Sequence, residues 1–160
     1  MRTVLLAVAA FAALAHSASA AEPPPTVTEV RAFMARVEDA SRARDLERLT
    51  AVLAADCRIE LTATIEGHEH VTLLTRAEYV EMLANGFAAL KDLEEYHYSV
   101  TGLTIALDTE PPGATVVSQV HESFVHGGRP FATESEETAR VERRAGELKF
   151  VAVSSKTVGR

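Results

Sequence analysis

The sequence of 160 residues is poor in cysteine and in basic residues, and each shortage excludes a class of protein. A single cysteine, Cys57, excludes an intramolecular disulfide framework. Lys and Arg number 16 against 23 Asp and Glu, which gives a formal net charge of -7. This balance excludes a broad nucleic-acid surface, since such a surface needs clustered positive charge. What remains is an acidic globular chain whose length fits one domain.

Long apolar runs are also scarce, and the one present lies at the N-terminus. It comprises Arg2, the apolar run Val4–Leu14 and an A-x-A sequence at 18–20, the three parts of a secretory signal peptide. A membrane-spanning helix needs about 18 or more apolar residues, and His16 interrupts this run earlier. We therefore predict a signal peptide over 1–20 and export to the periplasm or the medium, with no membrane association after cleavage.

The helices are indicated by caps and by apolar spacing. Residues 21–25 include three consecutive prolines and are interpreted as a linker, so the domain is expected over 26–160. A capping box at 26–29 begins a helix that runs to about Arg42. Apolar residues at helical spacing then predict a second, shorter helix over 46–54.

Strands dominate the rest of the chain. Apolar and polar residues alternate over 57–65, which predicts a strand with one dry face. A short strand over 71–74 and a capped helix from Thr75 follow. Four long strands are then predicted, separated by turn sequences: 95–107, 114–126, 129–142 and 147–156. This order indicates an α+β fold with a curved antiparallel sheet.

The chain resembles a known superfamily in the residues that join these elements. They read DLERL at 45–49, LAADC at 53–57 and TRAEY at 75–79, the last before four strands. This pattern is similar to the nuclear transport factor 2-like superfamily, in its SnoaL-like and ketosteroid isomerase-like branch. The resemblance implies a cone-shaped sheet around the first helix (a cystatin-like α+β barrel), frequent dimerisation and a pocket inside the cone. The superfamily contains isomerases, dehydratases, cyclases, epoxide hydrolases and many members with no known activity, so the fold does not decide the reaction.

The resemblance also excludes one of these activities, that of a ketosteroid isomerase. Ketosteroid isomerases carry a Tyr on the first helix and an Asp base on the first strand, and the matching positions here are Val37 and Leu61. Neither can perform that chemistry. Glu137 falls where those isomerases place a second, proton-donating acid.

A hairpin at Gly127-Gly128 gives an independent estimate of which side chains face the pocket. A two-residue turn pairs residues whose numbers sum to 255, so Phe124 should lie opposite Phe131. The face with most large apolar groups should be concave. Its polar members are Ser118, Glu122, Thr133, Ser135 and Glu137.

Glu122 and Glu137 are the leading candidates for chemistry. Two carboxyl groups among apolar neighbours should include at least one raised pKa, as a general acid near neutral pH requires. Alternatively, one of them pairs with a cationic side chain and the other reaches solvent. Either His97 or Tyr98 should point inward beside them.

The remaining histidines and the cysteine give weaker signals. His68 and His70 follow Glu66 and could contribute to a zinc or copper site, although a polar hairpin tip is the preferred interpretation. No second ligand cluster and no cofactor-binding motif accompanies them, so no cofactor is predicted. His121 and His126 should be exposed, and Cys57 should be a small buried hydrophobic residue.

Three functions remain open. The first is an exported protein that binds a small, partly apolar molecule. The second is a cofactor-independent lyase, isomerase or hydrolase using Glu122 and Glu137. The third is an interaction module, most simply a homodimer, whose outer sheet face includes Val151 and Val153.

Overall fold

Three helices and six strands make up the part of the chain that the computed structural model describes, residues 22–65, 67–91, 93 and 95–159. The predicted signal peptide lies outside these residues. The elements in order are α1 Val27–Arg42, α2 Leu46–Ala51, β1 Leu53–Ile65, β2 His68–Thr75, α3 Arg76–Ala89, β3 Glu95–Thr109, β4 Pro112–His126, β5 Arg129–Arg144 and β6 Glu147–Gly159.

Both predicted capping boxes are confirmed. At the start of α1 the Glu29 carboxylate accepts a hydrogen bond from the Thr26 backbone N–H at 2.8 Å, while the Thr26 hydroxyl accepts from the Glu29 N–H at 3.2 Å. Thr75 and Glu78 repeat this arrangement at α3. Each box satisfies backbone donors that a helix cannot pair internally, which fixes where the helix begins.

The six strands form one curved, unclosed sheet in the order β2-β1-β6-β5-β4-β3. Neighbouring strands are antiparallel except β1 and β6, which are parallel. One face of the sheet and side chains from all three helices enclose a cavity. We call this face of the sheet the concave face. The predicted α+β architecture is therefore confirmed. No helix in the described ranges is long and apolar enough to cross a membrane.

The prediction for the second helix was wrong at its C-terminal end. The helix ends at Ala51 instead of residue 54, and β1 begins at Leu53. The Phe150 N–H donates to the Val52 carbonyl at 2.8 Å, and Leu53 pairs with Phe150 of β6. A long-range backbone pairing thus takes over residues whose apolar spacing suits a helix equally well.

The β4–β5 hairpin has the predicted register. Gly127 and Gly128 have φ values of 58° and 72°, the positive region that a type I′ turn requires at both positions. Phe124 lies opposite Phe131, and the pairing continues without a shift to Ala114. The two phenylalanine rings stack with centroids 5.1 Å apart.

A β-bulge at Val151 overturns the prediction for the outer face of β6. Val141 pairs with Phe150 but Arg140 pairs with Ala152, so Val151 is an extra residue between them. The extra residue reverses the alternation of side chains. Consequently Val153 lines the cavity instead of the outer face.

The core lies between α1 and the sheet. Phe33 of α1 is 1% exposed, and its ring meets the Phe150 ring edge-to-face with centroids 4.9 Å apart. Cys57 is buried in the same cluster, as the sequence predicts.

Residues 22–25, interpreted as a linker, contact the domain. The Arg143 Nε donates to the Pro23 carbonyl at 3.1 Å, and the Gly146 N–H donates to Glu22 Oε1 at 2.8 Å. Pro25 is buried. The segment before α1 is therefore held against the turn between β5 and β6.

Candidate ligand-binding cavity

A cavity of about 310 Å³ lies between the concave face and the three helices. Most of its wall is apolar. The apolar lining residues include Met34, Val37, Leu49, Leu61, Met82, Leu83, Phe87, Val100, Val116, Val120, Phe150 and Val153. Such a wall with a few convergent polar groups is typical of small-molecule sites, and the volume is at the low end of their range.

The structure brings together six of the seven residues predicted for the pocket. Ser118, Glu122, Thr133, Ser135, Glu137 and Tyr98 all line the cavity. His97 does not: it is exposed and lies opposite Ser123, on the other face of the sheet. Because neighbouring residues of a strand alternate between faces, Tyr98 pointing inward requires His97 to point outward.

Glu137 is a cavity acid with a raised pKa. Burial raises the pKa of its carboxyl group above the usual value, and the negative charge of Glu122 adds to this effect. A hydrogen bond with the Ser155 side chain acts in the opposite direction. The neutral form of Glu137 is thus favoured to higher pH than in water.

Glu122 stands beside two tyrosines of β3. The Tyr96 hydroxyl hydrogen-bonds with its carboxylate, and Tyr98 lies directly opposite it on the neighbouring strand. Burial and the charge of Glu122 together raise the pKa of Tyr96, whereas the nearby Arg44 lowers it. Sequence reasoning missed Tyr96, although its spacing of two from Tyr98 places both on one face.

Tyr79 reaches the cavity from α3 and was also missed as a site residue. It lies on the apolar side of that helix, so the sequence pattern indicated a core residue and not a polar site residue. Burial, followed by the charge of Glu137, raises the pKa of Tyr79 and also that of Tyr98. The Tyr98 hydroxyl hydrogen-bonds with Ser41 of α1.

Several hydroxyl groups line the cavity. Ser118 is 2% exposed and, like Tyr79, contributes to the cavity wall. The Ser135 and Thr157 hydroxyls pair at 2.8 Å. Hydroxyl groups in an otherwise apolar wall can form hydrogen bonds with a ligand.

Hydrogen bonds between α1 and β3 hold this wall in place. The Val100 N–H donates to Glu38 Oε1 at 3.2 Å, and the Arg42 Nε donates to the Tyr98 carbonyl at 3.1 Å. Because Glu38 and Arg42 also pair with each other, they join the helix to the strand that carries Tyr96 and Tyr98.

The weak metal candidates do not form a cluster. His68 and His70 are exposed on β2, and Glu66 lies outside the described residues. Within the described ranges, no group of three or more His, Cys, Asp or Glu side chains could hold a metal ion. Of the other two histidines, His121 Nε2 lies 3.1 Å from the Thr101 hydroxyl, and His126 is exposed.

Comparison with solved structures identifies the architecture. An NTF2-like protein from Rhodospirillum rubrum is 20% identical with a TM-score of 0.59, covering 79% of this chain and 96% of its own. A cystatin-like fold protein from Caulobacter vibrioides is 16% identical with a TM-score of 0.59, covering 82% and 88%. LinA is 19% identical with a TM-score of 0.61, covering 81% and 84%. The chain has the nuclear transport factor 2-like fold. No known family profile matches it, and no curated protein does.

Within the nuclear transport factor 2-like fold, the cavity wall is apolar at two informative places. Val37 and Leu61, the positions matched to the isomerase Tyr and Asp, both line the cavity. The polar groups come from α1, α3 and strands β3 to β6, and they include the carboxyl groups of Glu38, Glu122 and Glu137. The arrangement can bind a small molecule, and its carboxyl groups could exchange protons with it.

Proposed function

We propose that this protein is exported and binds a small, partly apolar molecule in its central cavity. The observation that carries the proposal is a largely apolar cavity of about 310 Å³ whose wall also holds the Ser118 side chain and the Glu122 carboxyl group. A bound molecule would pack against the apolar wall and form hydrogen bonds with these polar groups. The Rhodospirillum rubrum neighbour, described as of unknown function in nutrient uptake, is compatible with such a role.

Native mass spectrometry of protein purified from an exporting host tests binding. We expect a mass above that of the polypeptide, removed on denaturation. The variant Thr133→Phe should displace the molecule, because Thr133 lines the cavity. Ala132→Phe is the matched control, since Ala132 is the preceding residue and is exposed. Equal occupancy in both variants would place the molecule elsewhere.

Export rests on the N-terminal sequence, and the structure offers a compatible feature. Cleavage after Ala20 would leave a chain in which Glu22 and Pro23 begin the contacts with the β5–β6 turn. N-terminal sequencing of protein from a periplasmic or medium fraction should read Ala21-Glu22-Pro23. Recovery of the uncleaved chain in the cytosol would contradict this proposal.

A second candidate is a cofactor-independent lyase, isomerase or hydrolase. It is favoured by the raised pKa of Glu137, since a raised pKa brings a carboxyl group closer to what a general acid requires. Glu122, hydrogen-bonded to Tyr96, would be the base. Incubation with an extract of the source organism should deplete a metabolite with the wild type but not with Glu137→Gln; equal depletion would contradict a catalytic Glu137.

The homodimer also remains a proposal. Val71 and Leu73 of the edge strand β2 are 60% and 73% exposed, and apolar surface of this kind suits contact with a second copy. Light scattering should give twice the monomer mass, and Leu73→Glu should lower it. A monomeric wild type would overturn the proposal.

A further inference from the structure

The charged side chains that line the cavity are all acidic. Glu38, Glu122 and Glu137 line it, whereas none of the described lining residues is Lys, Arg or His. Glu38 is paired with Arg42. The guanidinium carbon of Arg44 lies 5.2 Å from the centre of the Tyr96 ring, and its Nη1 donates to the Leu90 carbonyl at 2.7 Å. Glu122 and Arg44 form no ion pair in the described part of the chain, so Glu122 has no neutralising side chain among the described lining residues.

The surroundings of Glu122 suit a positively charged group. Tyr98 lies opposite it on β3 and Thr133 opposite it on β5, while the Tyr96 hydroxyl occupies part of its hydrogen-bonding capacity. A carboxylate has about four acceptor sites, so others remain for a ligand. Aromatic faces beside a carboxylate attract cations through the ring quadrupole as well as the charge.

A second group of polar residues lies further along the same strands. Glu137 is opposite Ser118, four residues along β4 from Glu122, which corresponds to about 13 Å of strand. Tyr79 and Ser118 also line the cavity. On β4, the apolar Val120 lies between Ser118 and Glu122 and lines the wall between the two polar groups.

The geometry points to a ligand class: a primary amine on a compact apolar body, with its ammonium group at Glu122 and its body toward Ser118. This inference rests on the proposed binding function and adds the charge of the ligand. An anionic ligand would face repulsion from Glu122, and a neutral one would leave the charge of Glu122 without a counter-charge. A cation removes both costs.

Three isosteric probes test the inference: phenethylamine, 2-phenylethanol and phenylacetate. They share one aromatic ring and a short arm, and they differ in the charge of the terminal group. Binding is measured near neutral pH by calorimetry and by ligand-observed NMR. We expect phenethylamine to bind about tenfold or more tightly than 2-phenylethanol, since hydrogen bonds to a charged group are the stronger kind. Phenylacetate should bind weakest.

Two variants assign the preference to Glu122. Glu122→Gln should reduce the amine-to-alcohol ratio to about one while leaving alcohol binding in place. Glu136→Gln, a control on the exposed face of β5, should keep the wild-type ratio, and circular dichroism shows whether both variants fold. If the fold of Glu122→Gln is lost, the ratio in the wild type alone decides.

The outcomes separate the inference from the proposed function. Alcohol binding equal to or tighter than amine binding overturns the inference and leaves the binding function standing. Failure of all three probes also overturns the inference, while the mass of a co-purified molecule judges the binding function separately. An amine preference that survives in Glu122→Gln overturns the assignment to Glu122.

Discussion

The substitution Glu137→Gln should change how stability depends on pH. Tyr79, Tyr98 and Glu122 are the titratable groups that interact with Glu137, and Ser155 hydrogen-bonds with it. Gln has nearly the same shape and keeps an oxygen for Ser155, but it cannot ionise. The variant therefore removes one titrating carboxyl group and leaves the packing contacts of the side chain nearly unchanged.

The direction follows from the raised pKa of Glu137. In the unfolded chain its carboxyl group loses its proton near the usual pKa of 4.5, but in the folded protein it does so at higher pH. Between these values the folded state binds more protons, so the free energy of unfolding of the wild type falls as pH rises. One proton corresponds to a slope of at most about 1.4 kcal/mol per pH unit.

Urea denaturation followed by circular dichroism from about pH 4 to pH 8 measures this effect. The free energy of unfolding of Glu137→Gln minus that of the wild type should be constant below the usual pKa, rise through the window and then level off. Carboxylates with lowered pKa values, such as Glu29 and Glu78, cancel in this difference. Glu136→Gln, in the exposed position next to Glu137, is the control for losing a carboxylate from the same strand. A flat difference for Glu137→Gln would refute the burial argument.

Three further predictions concern packing and backbone. Because burial raises the pKa of Cys57 to about 11, its thiol should react with Ellman's reagent far more slowly in the folded protein than in urea, and equal rates would contradict its burial. Phe33→Ala should lower the free energy of unfolding by about 3 to 5 kcal/mol, measured by urea titration. Phe131→Ala, at a residue that is 45% exposed, should lower it clearly less. Similar losses in the two variants would contradict the assigned core. Gly113→Ala would place a methyl group 2.9 Å from a backbone oxygen of β5 and should be destabilising. Gly86→Ala, at a position in α3 with open space around it, should raise the free energy of unfolding by up to about 1 kcal/mol. Thermal unfolding shows the sign of both changes, and a stabilising Gly113→Ala would contradict the close contact.

Local chemistry made much of the fold predictable. The caps at Thr26 and Thr75 mark their helices because the interacting groups are three residues apart in sequence. The Gly127-Gly128 turn fixes the register of β4 and β5 because a two-residue loop admits one pairing. That register places Glu122 and Glu137 on one face of the sheet.

Other features depend on pairing between distant parts of the chain. Residues 52–54 continue the apolar spacing of α2, but their backbone pairs with β6, which no local pattern indicates. The extra residue at Val151 is visible only as a mismatch between strands, and it turns Val153 from the outer face into the cavity. Tyr79 joins the site because α3 packs across the concave face.

The sequence by itself determined the acidic charge, the helix starts, the hairpin register and the placement of Glu122 and Glu137 on the cavity side of the sheet, because each follows from neighbours in the chain or from simple alternation. Tertiary structure decided which groups surround those carboxyl groups and that the described cavity lining holds no cation. Burial and the charge of Glu122 together raise the pKa of Glu137, and both arise only when strands and helices from distant parts of the chain enclose one space.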